Sequence, residues 1–197
     1  MHQGKPSDMY DDSCNGAWLL MKDVYEERQW NSSDSNSYKA STVHSYLNGT
    51  FLNLFDSNIK DTIKQVKIPY VNGTGGSAVA SGVNGLPAKI FLLSGYEVGF
   101  TDSDGGEWSS FPADGGKLSY FGYGTGTPAK NKRIAKLNGS GSNWWLRSPY
   151  ANETFGVWNV DSNGHYGGSG ASNLNGVRPA FILPFDTQVD FQSNIVI

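Results

Sequence analysis

Residues 143–185 read NWWLRSPYANETFGVWNVDSNGHYGGSGASNLNGVRPAFILPF. Two dense apolar phrases, WWLRSP and GVRPAFILP, bracket a run built mostly from Asn, Gly, Ser and scattered aromatics. This constrains the fold more than anything else in the chain, because bulky aromatic and branched residues at that density need a buried sheet around them. WWLRSP reads as a strand stopped by Pro149. FGVWNVD and the segment after DSNG read as a hairpin whose turn is signalled by Asn163-Gly164. GVRPAFILP makes a last strand, with Pro179 marking an edge, an end or a bulge. Alternation along a strand sends one of Trp144 and Trp145 inward and the other outward. Arg147 and Arg178 sit inside apolar phrases, and a buried guanidinium must bond to carbonyls or a carboxylate. Trp144, Trp145, Arg147, Arg178 and Phe181 are therefore read as scaffold.

Upstream, 16–27 predicts one strand with a charged exit. Ser41 or Thr42 is placed to cap a helix carrying Val43, Tyr46, Leu47, Phe51, Leu52, Leu54 and Phe55 on one stripe. NIKDTIKQVKIPYV predicts a second short helix running into a strand near 66–71. Residues 72–87 predict a loop and 90–93 a buried strand. The glycine-rich stretch 101–143 shows little periodicity, so irregular excursions are expected there. Charged residues at 17% and 25 glycines in 197 positions agree with a loop-rich α+β protein. No repeat or linker divides the chain, which predicts a single domain over 1–197, with 1–15 a tag or flexible lead-in.

Several function classes drop out. A net charge of −3 gives no basic footprint for nucleic acid. The start, MHQGKPSDMYDD, lacks the apolar core of a secretory signal, and no stretch approaches a membrane span. Cys14 alone permits neither an intramolecular disulfide nor a multi-cysteine zinc site. His2, His44 and His165 lie far apart in sequence, and no nucleophile, metalloprotease or phosphate-loop motif appears, so no enzyme and no cofactor is expected. Asp102, Asp104 and Glu107 in TDSDGGEW have the flavour of a calcium loop. They lack the distal glutamate, and a solvated turn accounts for them. Asn159 and Asp161 in VWNVD lack the companion triplet of a lectin calcium site, so no metal is expected. Asn-x-Ser/Thr triplets at Asn31, Asn48, Asn72, Asn138 and Asn152 follow from composition.

Residues 150–175 differ from their flanks. Half of the 26 are Asn, Gly or Ser, none is Lys or Arg, and Tyr150, Phe155, Trp158, His165 and Tyr166 are spread among them. Rigid aromatics with small adaptable polar residues are the composition of an antibody paratope. Tyr150, Asn152, Phe155, Asp161, Asn163, His165, Tyr166, Ser169, Ser172, Asn173 and Asn175 are the expected ligand contacts.

STVHSYLNGTF, GLPAKIFLLSGYEVGF, KRIAKLNG, WWLRSP and GVRPAFIL, in that order, resemble a domain family of gut bacteria and their phages. The resemblance implies a C-type-lectin-like fold, with two short helices packed on small twisted antiparallel sheets and long loops. It also implies kinship with formylglycine-generating enzymes, whose cysteine pair this chain cannot supply. Several members are similar to the variable proteins of diversity-generating retroelements, in which Asn codons of a C-terminal repeat are rewritten to NNY codons. All fifteen residues of 161–175 belong to the NNY set, whereas Glu153 and Trp158 do not. The resemblance implies a receptor-binding or surface-display module, virion tail-associated or on a bacterial surface, whose partner is a protein or glycan on a cell surface. A fixed carbohydrate-binding or adhesion module and a structural virion protein are the alternatives.

Overall fold

The computed structural model describes residues 1–106 and 109–187, with two further short strands, Val189–Asp190 and Ile195–Val196. It is a mixed α+β fold in which short helices flank several small sheets, with no barrel.

Pro179 explains how the two main sheets are divided. GVRPAFILP forms two strands, Leu174–Val177 in a five-stranded sheet and Ala180–Leu183 in a four-stranded one. Proline cannot donate to a ladder, so pairing stops at this residue and the chain changes sheet. The early apolar segment runs antiparallel beside it and changes sheet at the same place. Ala17–Leu20 pairs with Ala180–Leu183, and Glu26–Gln29 pairs with Leu174–Val177. Between them the Met21 amide donates to the Pro179 carbonyl at 2.9 Å, and the Tyr25 amide to the Val177 carbonyl at 2.9 Å. The single strand expected over 16–27 is thus two strands, because residues 21–25 must follow their partner's crossing. Arg178 fastens the crossing through the Met21 and Lys22 carbonyls.

The five-stranded sheet runs in the order Tyr166–Gly170, Gly156–Val160, Trp144–Pro149, Leu174–Val177, Glu26–Gln29. Its centre, WWLRSP, pairs antiparallel on one side and parallel on the other. All six of its residues are buried, which corrects the expectation that one tryptophan faces outward. Trp144 Nε1 donates to the Arg133 carbonyl and Trp145 Nε1 to the Arg28 carbonyl. The expected hairpin forms, with Asn159 opposite Gly167.

Ser41 caps the first helix, Thr42–Tyr46, its hydroxyl accepting from the His44 amide at 3.1 Å. The helix loosens into a π turn over Leu47–Phe51. Val43, Leu47 and Phe51 of the expected stripe are buried, whereas Leu54 is exposed. Ser57–Thr62 then leads into the strand Val66–Ile68 as expected. The stretch 101–143 is more regular than its composition suggests. It holds a third helix, Thr127–Arg133, with proline in its first turn, and a hairpin of Ala135–Leu137 with Ser140–Ser142. Asn138 and Gly139 turn that hairpin with φ of 51° and 86°, the positive values such a turn demands. Among the described residues the two helices expected are therefore three α-helices. Residues 1–15 are not a loose lead-in: His2–Gln3 pairs with Ala17–Leu20, and Tyr10 and Cys14 are buried.

One ion pair organises the core. The WWLRSP strand slips register against its hairpin partner between Trp145 and Pro149, which frees the Arg147 amide to donate to the Leu93 carbonyl. The Arg147 guanidinium meets Glu97 in a two-pronged contact, Nη1 to Oε2 at 2.6 Å and Nη2 to Oε1 at 2.7 Å. Both side chains are fully buried. The remaining guanidinium N–H groups donate to the carbonyls of Pro69, Leu92 and Asp114. Glu97 also accepts from the Tyr10 hydroxyl at 2.6 Å and the Ser94 amide at 2.9 Å. Every donor of the cation and every acceptor site of the anion is therefore used, the condition for tolerating such a pair in the interior. Beside it, burial raises the Asp114 carboxyl to a pKa of about 6, against the pull of Arg147 and the Ser148 hydroxyl.

Glu97→Gln leaves a buried guanidinium without its counter-charge and is expected to cost about 3–5 kcal/mol. Denaturant unfolding checks this. The double variant Arg147→Met/Glu97→Leu is expected to recover at least half of that loss.

Candidate functional site

The outer hairpin of the five-stranded sheet carries the candidate surface, and its two ends differ. At the turn end, Asp161 Oδ1 accepts from the Asn163 and His165 amides at 2.8 and 2.9 Å, while its own amide donates to the His165 carbonyl. The carboxylate is occupied in building the turn. Gly164 has φ of 80°, and a Cβ there would lie 2.2 Å from the Lys130 carbonyl oxygen. His165 Nε2 lies 3.1 Å from Lys130 Nζ. The turn is thus packed against the third helix.

In the middle, the Tyr166 ring stands edge-on to Phe100, Phe111 and Trp158 and is half-buried. Tyr150, expected as a contact, is only 7% exposed and lies against Trp158 with ring centroids 4.4 Å apart. Gly156 and Gly168 are glycine for that reason: a Cβ on either would collide with the Tyr150 side chain. Asn175, also expected as a contact, is buried within the strand opposite Arg28. Both residues leave the contact set. Sequence reading missed this because Tyr and Asn suit a paratope and an interior cross-strand position alike.

The open end of the hairpin is different. The loop 151–155 is held from beneath by Asn36, a buried side chain whose amide nitrogen lies 3.3, 2.6 and 3.0 Å from the carbonyls of Tyr150, Glu153 and Gly156. The Asn36 amide also donates to the Thr154 carbonyl. This fixes the loop backbone and leaves Asn152 and Phe155 exposed, Phe155 at 45%. A Cβ on Gly170 would touch the Phe155 ring at 3.9 Å, and the Asn173 amide nitrogen donates to the Ser169 hydroxyl at 3.1 Å. Ser172 donates from its hydroxyl to Asp34, and its carbonyl accepts from Gln29 at 2.7 Å. Leu174, which sequence reading passed over, is 64% exposed beside a shallow cleft reaching Arg28 and Thr42. Its signal was available: an apolar residue between two asparagines, where alternation does not require one.

The expected contacts therefore divide. Asn152, Phe155, Ser169, Ser172, Asn173 and the added Leu174 gather near the open end. Asp161, Asn163 and His165 lie at the turn, separated by a five-residue strand, roughly 17 Å. Trp144, Trp145, Arg147 and Arg178 are buried, and Phe181 packs on Phe55 with centroids 6.0 Å apart. In the acidic loop, Asp104 accepts from the Thr101 amide and hydroxyl in a local turn. Glu107 lies outside the described residues. No trio of His, Cys, Asp or Glu among the described residues is placed to hold a metal ion. No helix among them is long and apolar enough to cross a membrane.

A family model described as a domain of unknown function, DUF6273, matches residues 15–185. No curated protein and no solved structure matches.

Exchangeability separates the two kinds of position. Gly164→Ala is expected to lose at least about 2 kcal/mol, whereas Ser172→Ala, Asn173→Ala and Leu174→Ala each stay within about 0.5 kcal/mol. Thermal melts of the four variants check this.

Proposed function

The chain belongs to the DUF6273 family, and we propose that it is a non-enzymatic ligand-binding module. Its ligand is a protein or glycan on a cell surface, met by Asn152, Phe155, Ser169, Ser172, Asn173 and Leu174. The observation that carries the reading is the pair of exposed apolar side chains, Phe155 and Leu174, set among small polar residues that lie outside the hydrophobic core. Exposed aromatic and aliphatic anchors ringed by adaptable polar groups are the anatomy of a recognition surface. Asn36 supports it by holding the loop backbone from below, so the side chains above are positioned before a ligand arrives.

The C-type-lectin-like scaffold and retroelement diversification belong to this reading as proposals. They rest on the resemblance of WWLRSP and GVRPAFIL and on the position of the surface just before a buried closing strand. The module then sits in a phage tail or a bacterial surface assembly. Close packing at Gly156, Gly164 and Gly168 restricts exchange to the open-end positions and the exposed Asn163.

Flow cytometry of the fluorescently labelled chain on a panel of gut bacterial cells tests the reading. Binding to at least one strain is expected, with about a tenfold loss in Phe155→Ala/Leu174→Ala at unchanged melting temperature. Absence of binding across the panel, or equal binding by the double variant, contradicts it.

A further inference from the structure

A second concave site lies away from residues 150–175, none of which lines it. It is a cavity of about 650 Å³ whose wall includes Lys22, Lys132, Lys136, Arg178, Tyr120 and Asn131. That volume falls within the range of small-molecule sites. The charge on it is opposite to that of the chain. The protein carries a net charge of −3, yet four of its 15 basic residues meet here. Asp23 is the acidic residue on the wall, and its Oδ1 already accepts from the Lys136 amide at 2.9 Å.

Arg178 adds to this. It is only 5% exposed and rests on the Trp144 indole, 4.8 Å from the ring centre. Its partners are all carbonyls: Met21 at 2.9 Å, Lys22 at 2.8 Å and Arg133 at 3.3 Å. Burial lowers its pKa to about 10, so it remains a cation at neutral pH. Arg133, whose carbonyl is one of these partners, is fully buried and its own guanidinium donates to the carbonyls of Val98, Gly122, Gly124 and Gly164. None of the ion pairs among the described residues involves either arginine. A buried guanidinium, Arg178, that forms no ion pair among the described residues, on a concave wall with three exposed lysines against the one carboxylate of Asp23, concentrates positive potential in the cavity. Three bonds leave two of the five Arg178 N–H groups without an acceptor among these contacts.

We propose that this cavity binds an acidic saccharide, its ring lying against Tyr120 and its sulfate or carboxylate groups among Lys22, Lys132 and Lys136. Tyr120 is 43% exposed and shares its face with the Lys132 ammonium, 5.3 Å from the ring centre. A flat aromatic surface beside fixed cations suits a sugar, whose C–H face stacks while its anionic substituents reach sideways. The Asn131 amide supplies neutral hydrogen bonding for hydroxyls. This site is independent of the surface proposed above.

Isothermal titration of the full chain tests it, with a trisulfated heparin disaccharide, an unsulfated uronate disaccharide, maltose and inorganic sulfate as probes. Either acidic disaccharide is expected to bind at least about tenfold more tightly than maltose or sulfate. Lys22→Glu/Lys132→Glu, both exposed side chains, is expected to weaken that binding at least tenfold without loss of fold by circular dichroism. Tyr120→Ala is expected to bring the disaccharide down to the affinity of sulfate, and Phe155→Ala/Leu174→Ala to leave it unchanged. No binding of either acidic disaccharide, or binding no tighter than sulfate, overturns the proposal. So does binding indifferent to the lysine charge reversal. Loss of binding in the Phe155→Ala/Leu174→Ala variant places the saccharide on the other surface and overturns it too.

Discussion

The Arg147–Glu97 pair is the constraint on which the rest of the structure depends. Two opposite charges fully withdrawn from water are tolerable only when every remaining donor and acceptor finds a partner. Here those partners come from Tyr10, Pro69, Leu92, Ser94 and Asp114. Segments more than a hundred residues apart must therefore arrive together before any one of them is stable. The register slip between Trp145 and Pro149 frees Arg147 from the hairpin ladder and lets it turn towards that meeting point. Around this centre the sheets change at Pro179 and residues 21–25, where Arg178 holds the crossing.

A core fixed in this way divides the outer hairpin. Its turn is wedged against the third helix, and its middle is filled by Tyr150, which occupies the space that side chains on Gly156 and Gly168 would need. Apart from Asn163 at the turn, the exposed side chains of the hairpin and its exit, among them Asn152, Phe155, Asn173 and Leu174, lie at the open end, whose loop Asn36 supports. The binding reading therefore depends on about six residues rather than on the whole run between the two apolar phrases.

Much of this was legible. Apolar density marked WWLRSP and GVRPAFILP, Ser41 marked a helix start, and Asn163-Gly164 marked a turn. What escaped was decided by tertiary contact. Glu97 sits in GYEVGF, where one carboxylate among apolar residues looks like a strand's solvent side until Arg147 meets it. Asn36 lies in a polar, turn-rich run and is chemically indistinguishable there from a solvated asparagine. The two buried tryptophans defeated alternation because both faces of this central strand are covered, all six of its residues being buried. The third helix, by contrast, was announced by Pro128 and a basic last turn, and its hairpin by Asn138-Gly139. Those signals were outweighed by the surrounding glycines.

Native-state hydrogen exchange followed residue by residue tests the division most directly. The amides of Trp145, Leu146 and Arg147 should exchange only through global unfolding, while those of Asn152, Phe155 and Ser172 open locally, at least about a hundredfold faster. Equal protection of the two groups, or a local opening that releases the Arg147 amide, would contradict the claim that a clamped core carries an independent surface.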